Sequence, residues 1–300
     1  MHKTNINKGG TVIPTYEKQI NTEERKLKGK KLFVFDLTGT LLNKNEGIDP
    51  EIIYQIKKIY KKNHYVAITS SNSYQYCIDL LKPIIDFIHF FVGNNGSILI
   101  DNIKGELMKT PKTLNMDFIN EILKDVKLLG GAVQIITSKK VFVNSYINIF
   151  KSEEWLSEKA IERNINQFSE YEINSMRQNQ IIQLSIIINP NYINQFLVYL
   201  KQLYCNDYEF KKSSKINIDI NLSGVNKYEG IKTIMLLYQI NEDNVFSFGN
   251  STSDLEVIKN THNSYAMANS DLVVKEFAQN IIQTSEDDTV ALEIQKILKK

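Results

Sequence analysis

A chain of 300 residues, 42% hydrophobic and 23% charged, has the composition of an ordinary globular protein and the length for one large or two modest cores. Its 36 basic and 34 acidic side chains leave a formal charge of +2, which gives no electrostatic case for a nucleic-acid or membrane-surface partner. Cys77 and Cys205 lie far apart without metal-ligand spacing and read as reduced, small apolar residues, and no apolar run reaches membrane-spanning length.

Met1 to Lys30 is rich in Asn and Lys and lacks the apolar centre of an export signal; it reads as a flexible tail on a cytoplasmic protein. Lys31 to Phe35 then reads as a buried strand, rich in aromatic and β-branched side chains, and it ends on Asp36 followed by Leu37-Thr38-Gly39-Thr40. Asp49-Pro50 signals a helix start, with Ile52, Ile53, Ile56 and Ile59 at helical spacing. Tyr65 to Ile68 is a second strand, ending at Thr69-Ser70-Ser71-Asn72. Strand, helix, strand in this order begins a parallel sheet, which places Thr69 on the same edge as Asp36.

Phe87 to Val92 reads as a third strand, followed by Asn94-Asn95-Gly96-Ser97, a short strand Ile98 to Ile100 and a hairpin turn over Asp101 to Gly105. From about Asn102 to Asn206 the pattern becomes a self-contained α/β insertion. Its expected elements are a helix (Leu114 to Leu129), strands (Ala132 to Thr137, Val141 to Tyr146), a helix containing Trp155, a strand (Gln180 to Ile188) and a helix (Tyr192 to Leu203). The alternating Ile216, Ile218 and Ile220 suggest an edge strand returning the chain to the first sheet. Lys227 opens a helix through Tyr238, and Asn244 to Phe248 is a further buried strand ending in Gly249-Asn250 and, four residues on, Asp254. Tyr265 to Met267 and Ile281-Ile282 read as short strands before a last helix from Asp287 to Lys300.

Three polar clusters therefore fall at the ends of parallel strands: Asp36/Thr38, Thr69/Ser70 and Asn250/Asp254, with Lys227 opening a helix between them. A carboxylate held rigidly at a strand end, beside a Thr/Gly turn offering amides and hydroxyls to an anion, is placed to attack phosphorus. This set, in this order, resembles the four motifs of the haloacid dehalogenase (HAD) superfamily. The segments NNGSILID (Asn94 to Asp101), SGVNKYEGI (Ser223 to Ile231), FGNSTSDLEVI (Phe248 to Ile258), YAMANSDLVVK (Tyr265 to Lys275) and TSEDDTVALEI (Thr284 to Ile294) narrow the resemblance to Cof-type phosphatases.

The resemblance implies a Rossmann-like parallel-sheet core, residues 31–101 and 207–300, with an inserted α/β cap, residues 102–206. It implies a phosphatase acting on small phosphorylated metabolites, such as sugar phosphates, through an aspartyl phosphate on Asp36. Thr69, Ser70 and Lys227 would bind the phosphate. Magnesium would sit on Asp36, the Thr38 carbonyl and Asn250, with Asp254 assisting from behind. The chain departs from the family pattern at Thr69-Ser70-Ser71, where Thr-Gly-Arg is common, at Ser253-Asp254, where Asn-Asp is usual, and at two positions that bear directly on the chemistry. Thr38 stands where a general acid is usual, as it does in P-type ATPases, and Asn250 stands where a metal-binding Asp is usual. Two other readings follow from those departures: a non-catalytic binding or regulatory protein on the same fold, and a phosphotransferase with a long-lived phospho-aspartate.

Overall fold

The computed structural model describes residues 29–109, 113–138, 141–145, 166–167, 181–285 and 287–299. The chain begins with β1 (Leu32–Asp36), in which all five residues are buried. Phe33 and Phe35 point into one apolar layer and Leu32 and Val34 into another, which is why the strand is apolar throughout. α1 (Pro50–Lys61) starts where Asp49 accepts the Glu51 N–H at 2.7 Å and Pro50 takes the first turn; Ile52, Ile56 and Ile59 are its buried stripe. β2 (Tyr65–Thr69), α2 (Tyr74–Leu81), β3 (Phe90–Gly93), β4 (Ile98–Asp101) and β5 (Glu106–Lys109) follow.

The chain then builds α3 (Met116–Leu128), β6 (Ala132–Thr137), β7 (Val141–Ser145), β8 (Asn166–Gln167), β9 (Ile181–Ile187), α4 (Pro190–Tyr204), β10 (Tyr208–Lys212) and β11 (Asn217–Leu222). It returns through α5 (Lys227–Tyr238), β12 (Val245–Gly249), α6 (Leu255–Lys259), β13 (Asn263–Met267), α7 (Leu272–Phe277), β14 (Asn280–Ile282) and α8 (Thr289–Lys299). Among the described residues no helix is long and apolar enough to cross a membrane.

The first sheet runs β14-β13-β12-β1-β2-β3-β4-β5, parallel from β14 to β3 and antiparallel beyond it. Chain order reverses between β1 and β12, so a crevice opens at their carboxyl ends. Asp36 closes β1 there and Gly249-Asn250 closes β12.

The second sheet runs β10-β11-β9-β6-β7-β8. One face packs under α3 and α4 through Phe118, Ile122, Leu184, Ile193, Ile218 and Ile220. The opposite face is polar yet buried: Gln183, Ser185, Asp219 and Asn221 are all at most 4% exposed. Their partners include one another and the turn between β3 and β4. Asn94 Nδ2 donates to Gln183 Oε1 at 2.8 Å, Asn95 Nδ2 to Asn221 Oδ1 at 3.2 Å, and Ser185 Oγ to Asp219 Oδ1 at 2.6 Å.

Sheet membership differs from the sequence expectation at both edges of the insertion. β5 stays in the first sheet, because the turn after Asp101 folds Glu106–Lys109 back onto β4 as a hairpin. The strand through Ile216–Ile220 is not an edge of the first sheet. As β11 it lies between β9 and β10, its isoleucines filling the second core. β10, absent from the sequence reading, is the edge. The third strand begins at Phe90, a 3₁₀ turn occupying Ile85–Phe87, and the last helix begins at Thr289. The helix expected around Trp155 and residues 1–28 of the tail lie outside the described residues.

Candidate active site

The β1 carboxyl end is built by backbone pairing. Asp36 and Thr69 are register partners, and the Leu37 N–H donates to the Thr69 carbonyl at 3.2 Å. The loop then coils back, with Leu41 N–H bonding Asp36 O at 3.3 Å and Leu42 N–H bonding Leu37 O at 2.9 Å. Gly39, at φ +79°, makes that turn, and a Cβ on it would strike the Asn250 side chain. The β1 loop and the β12 loop therefore touch at Gly39 and Asn250. Thr38 is held by a β-bridge to Leu42 and is exposed at the mouth.

Lys227 occupies the first turn of α5, which is capped by Asn226 accepting the Glu229 N–H at 3.2 Å. Its ammonium, on a side chain 1% exposed, donates to Asp36 Oδ1 at 2.7 Å and to Asp254 Oδ1 at 2.6 Å. Asp254 Oδ2 in turn accepts the N–H groups of Asn250 at 3.1 Å and Ser251 at 3.0 Å, and the Ser251 hydroxyl at 3.2 Å. Both oxygens of Asp254 are thus engaged, and its carboxylate orders the β12 loop around Lys227.

Two carboxylates share one ammonium. Burial, reinforced by the charge of Asp254, raises the Asp36 carboxyl to about 7, with Lys227 opposing. Burial would push the Lys227 ammonium down, but Asp254 and Asp36 outweigh it and hold it above the ordinary lysine range. The cluster carries one negative charge in excess when both acids are ionised. Asn250 adds a buried amide oxygen, Oδ1, with no protein donor.

Among the described residues no three His, Cys, Asp or Glu side chains gather as a metal cluster. The oxygen donors on the two loops that touch at Gly39 are the Asp36 carboxylate, the Thr38 backbone carbonyl and the Asn250 amide oxygen. All are hard oxygens, and with the unbalanced charge and the orphaned Asn250 Oδ1 they fit a magnesium ion.

Thr69 and Ser70 are buried beside Asp36. The Thr69 hydroxyl donates weakly to Phe35 O at 3.5 Å, while Ser70 Oγ accepts the Asn72 N–H at 3.1 Å and the Cys77 thiol at 3.5 Å. Burial pushes the Cys77 thiol up to about 12, so it stays neutral and is a poor nucleophile.

Lys227 is thus in direct contact with both Asp36 and Asp254, with Thr69 beside Asp36 in the sheet, Ser70 following it, and Asn250 against Gly39. Thr38, by contrast, makes no contact with this cluster among those described and is exposed. Sequence reasoning missed Asn94, Asn95 and Gln183, which adjoin the Thr69–Asn72 loop. The signal for Gln183 was a glutamine and a serine interrupting an otherwise apolar strand.

Residues 33–294 match the family described as haloacid dehalogenase-like hydrolase. The chain belongs to that family. Curated relatives include the 5-amino-6-(5-phospho-D-ribitylamino)uracil phosphatases YcsE of Bacillus subtilis and YbjI of Escherichia coli. YcsE is 26% identical over 87% of this chain and 93% of its own length, and YbjI is 23% identical over 90% and 96%. Among solved structures, the HAD subclass IIB sugar phosphatase BT4131 superposes with a TM-score of 0.75 at 17% identity, covering 89% of this chain and 99% of its own. The chain is therefore an HAD-type hydrolase, with the family's core and inserted cap.

Proposed function

We propose that this hydrolase is a magnesium-dependent phosphatase of small phosphate monoesters, working through an aspartyl phosphate on Asp36. The observation that carries the reading is the buried ammonium of Lys227, bonded to both Asp36 and Asp254. Asp36 attacks phosphorus in line, an Asp36–phosphorus bond forms, and the bond to the leaving oxygen breaks. Water then attacks the same phosphorus, releasing inorganic phosphate and restoring the carboxylate. Lys227 and the Thr69–Ser70 turn hold the non-bridging oxygens, since phosphoryl transfer asks mainly for positioning and charge neutralisation. Magnesium, held by Asp36, Thr38 O and Asn250 Oδ1, would neutralise charge on the transferring phosphoryl group. Asp254, its oxygens already taken, holds Lys227 and the loop.

The named relatives act on a phosphoribityl compound and on sugar phosphates, and we place the substrate of this chain in the same class, a phosphorylated sugar or polyol. The purified protein is expected to release phosphate from a panel of such esters with magnesium and not with chelator. A panel wholly without turnover, or release that survives Asp36→Asn, overturns the reading.

The reaction should also show an acid limb. Asp36 must be ionised to attack, and its carboxyl lies near 7, so kcat/KM falls as pH drops below that value. A dication favours the ionised form, so raising magnesium is expected to move the midpoint of the limb to lower pH. A midpoint that ignores magnesium, measured across a titration of the ion, would remove Asp36 from the metal site.

A further inference from the structure

Beyond holding the β3–β4 turn, one side chain of the cap reaches the phosphate loop itself. Gln183, fully buried on β9, accepts from Asn94 Nδ2 at 2.8 Å and donates through Nε2 to the Ser71 carbonyl at 3.2 Å. The turn it grips is bonded to the same loop: Asn94 N–H donates to Asn72 O and Asn95 N–H to Ser70 O, each at 3.1 Å. The cap holds this turn a second time, through Asn221 Nδ2 donating to Asn94 O at 3.0 Å. On its far side the turn abuts Lys227. Gly96, at φ +99°, packs so closely on the Asn226–Lys227 backbone that a Cβ there would strike the Asn226 carbonyl. Asn94 and Asn95 adopt the left-handed region, φ 53° and 54°, which fixes both amides in these directions.

One turn of the core is therefore hydrogen-bonded to the cap on one side and to the Ser70–Asn72 loop on the other, and it packs closely against the start of α5. We propose that Gln183 is a positioning residue for the phosphate site: seating of the cap completes the shape of the Thr69–Asn72 loop through Gln183 and Asn94, so phosphate affinity depends on the cap even for a substrate too small to touch it. The proposal rests on the phosphatase reading above.

The test separates positioning from direct contact with a leaving group. Inorganic phosphate binding is measured by calorimetry, and kinetics are compared for acetyl phosphate and a hexose phosphate. The variants are Gln183→Met, which keeps the volume, and Asn94→Gly, which keeps the left-handed backbone while removing the anchor; either suffices if the other fails to fold. Each is expected to weaken phosphate binding about 3- to 10-fold, the loss that goes with one or two hydrogen bonds. KM should rise by the same factor for both substrates, and the double variant should be no worse than the weaker single, since both changes break one chain of contacts. A loss confined to the hexose phosphate, or phosphate affinity like that of the wild type in folded variants, overturns the proposal. Wild-type protein that turns over no ester and binds no phosphate overturns the phosphatase reading, and the proposal with it. Wild-type turnover with wild-type-like variants overturns the proposal alone.

Discussion

Thr38→Asp is expected to raise kcat on sugar and polyol phosphates by about 10²-fold, the low end of what a well-placed general acid supplies. An alkoxide leaves poorly without a proton, and an aliphatic hydroxyl at Thr38 cannot give one at neutral pH. A carboxyl two residues after the nucleophile would stand on the same turn. The backbone there is already fixed by the Thr38–Leu42 bridge and the Gly39 turn, while the side chain is exposed at the mouth. The new acid therefore displaces no packed group, and stability should change by no more than about 0.5 kcal/mol.

Acetyl phosphate provides the control, because its leaving carboxylate needs no proton. If Thr38→Asp supplies a proton in the first step, the gain on sugar phosphates should far exceed the gain on acetyl phosphate. Equal gains on both would point to the second step, activation of the hydrolytic water, and to a wild-type protein in which the phospho-aspartate accumulates. No gain on either would mean that the side chain at 38 does not face the leaving group.

Most of this site was legible in the sequence because it is made of strand ends. β1 is covered on both faces, so it reads as an unbroken apolar run and the first polar residue after it, Asp36, lies at the crevice; β12 is interrupted only by the buried Ser247, and Asn250 follows it at the same edge. The neighbouring Lys227 was legible as the opening of a helix. The cap's contribution was not, for a physical reason. Asp219 and Asn221 alternate with Ile218 and Ile220, the pattern of a strand with one wet face, yet they are 3% and 2% exposed. Their covering is the Asn94–Ser97 turn, more than a hundred residues away, and local alternation cannot distinguish water from such a polar partner. The same limit hid the sheet membership of β11, because a half-apolar strand fits either sheet and only its pairing with β9 and β10 decides. Asn94-Asn95-Gly96 announced a turn through residues that tolerate the left-handed region, but not which groups it would hold.

Lys227→Met is expected to cost about 3–5 kcal/mol of folding stability at pH 8, the range found when one partner of a buried ion pair is removed. Methionine fills nearly the same space, so the loss is electrostatic. The ammonium sits 2.7 Å from Asp36 and 2.6 Å from Asp254, and without it two buried carboxylates face each other. The pH dependence follows from the sign of the Asp36 shift. Its folded-state carboxyl is already raised to about 7, and loss of the opposing lysine raises it further. A group with a raised folded value takes up its proton on folding, so its contribution is full at low pH and disappears as pH rises through that value. The variant should accordingly be weakest in urea at pH 8 and recover towards pH 6, where one carboxyl is neutral. Adding Asp254→Asn removes the like charge and should restore much of the stability at pH 8. It should not restore phosphate binding, which needs the cation itself. A Lys227→Met protein as stable as wild type at pH 8 would mean that the two acids are not held together by this lysine, and the electrostatic account of the site would fail at its centre.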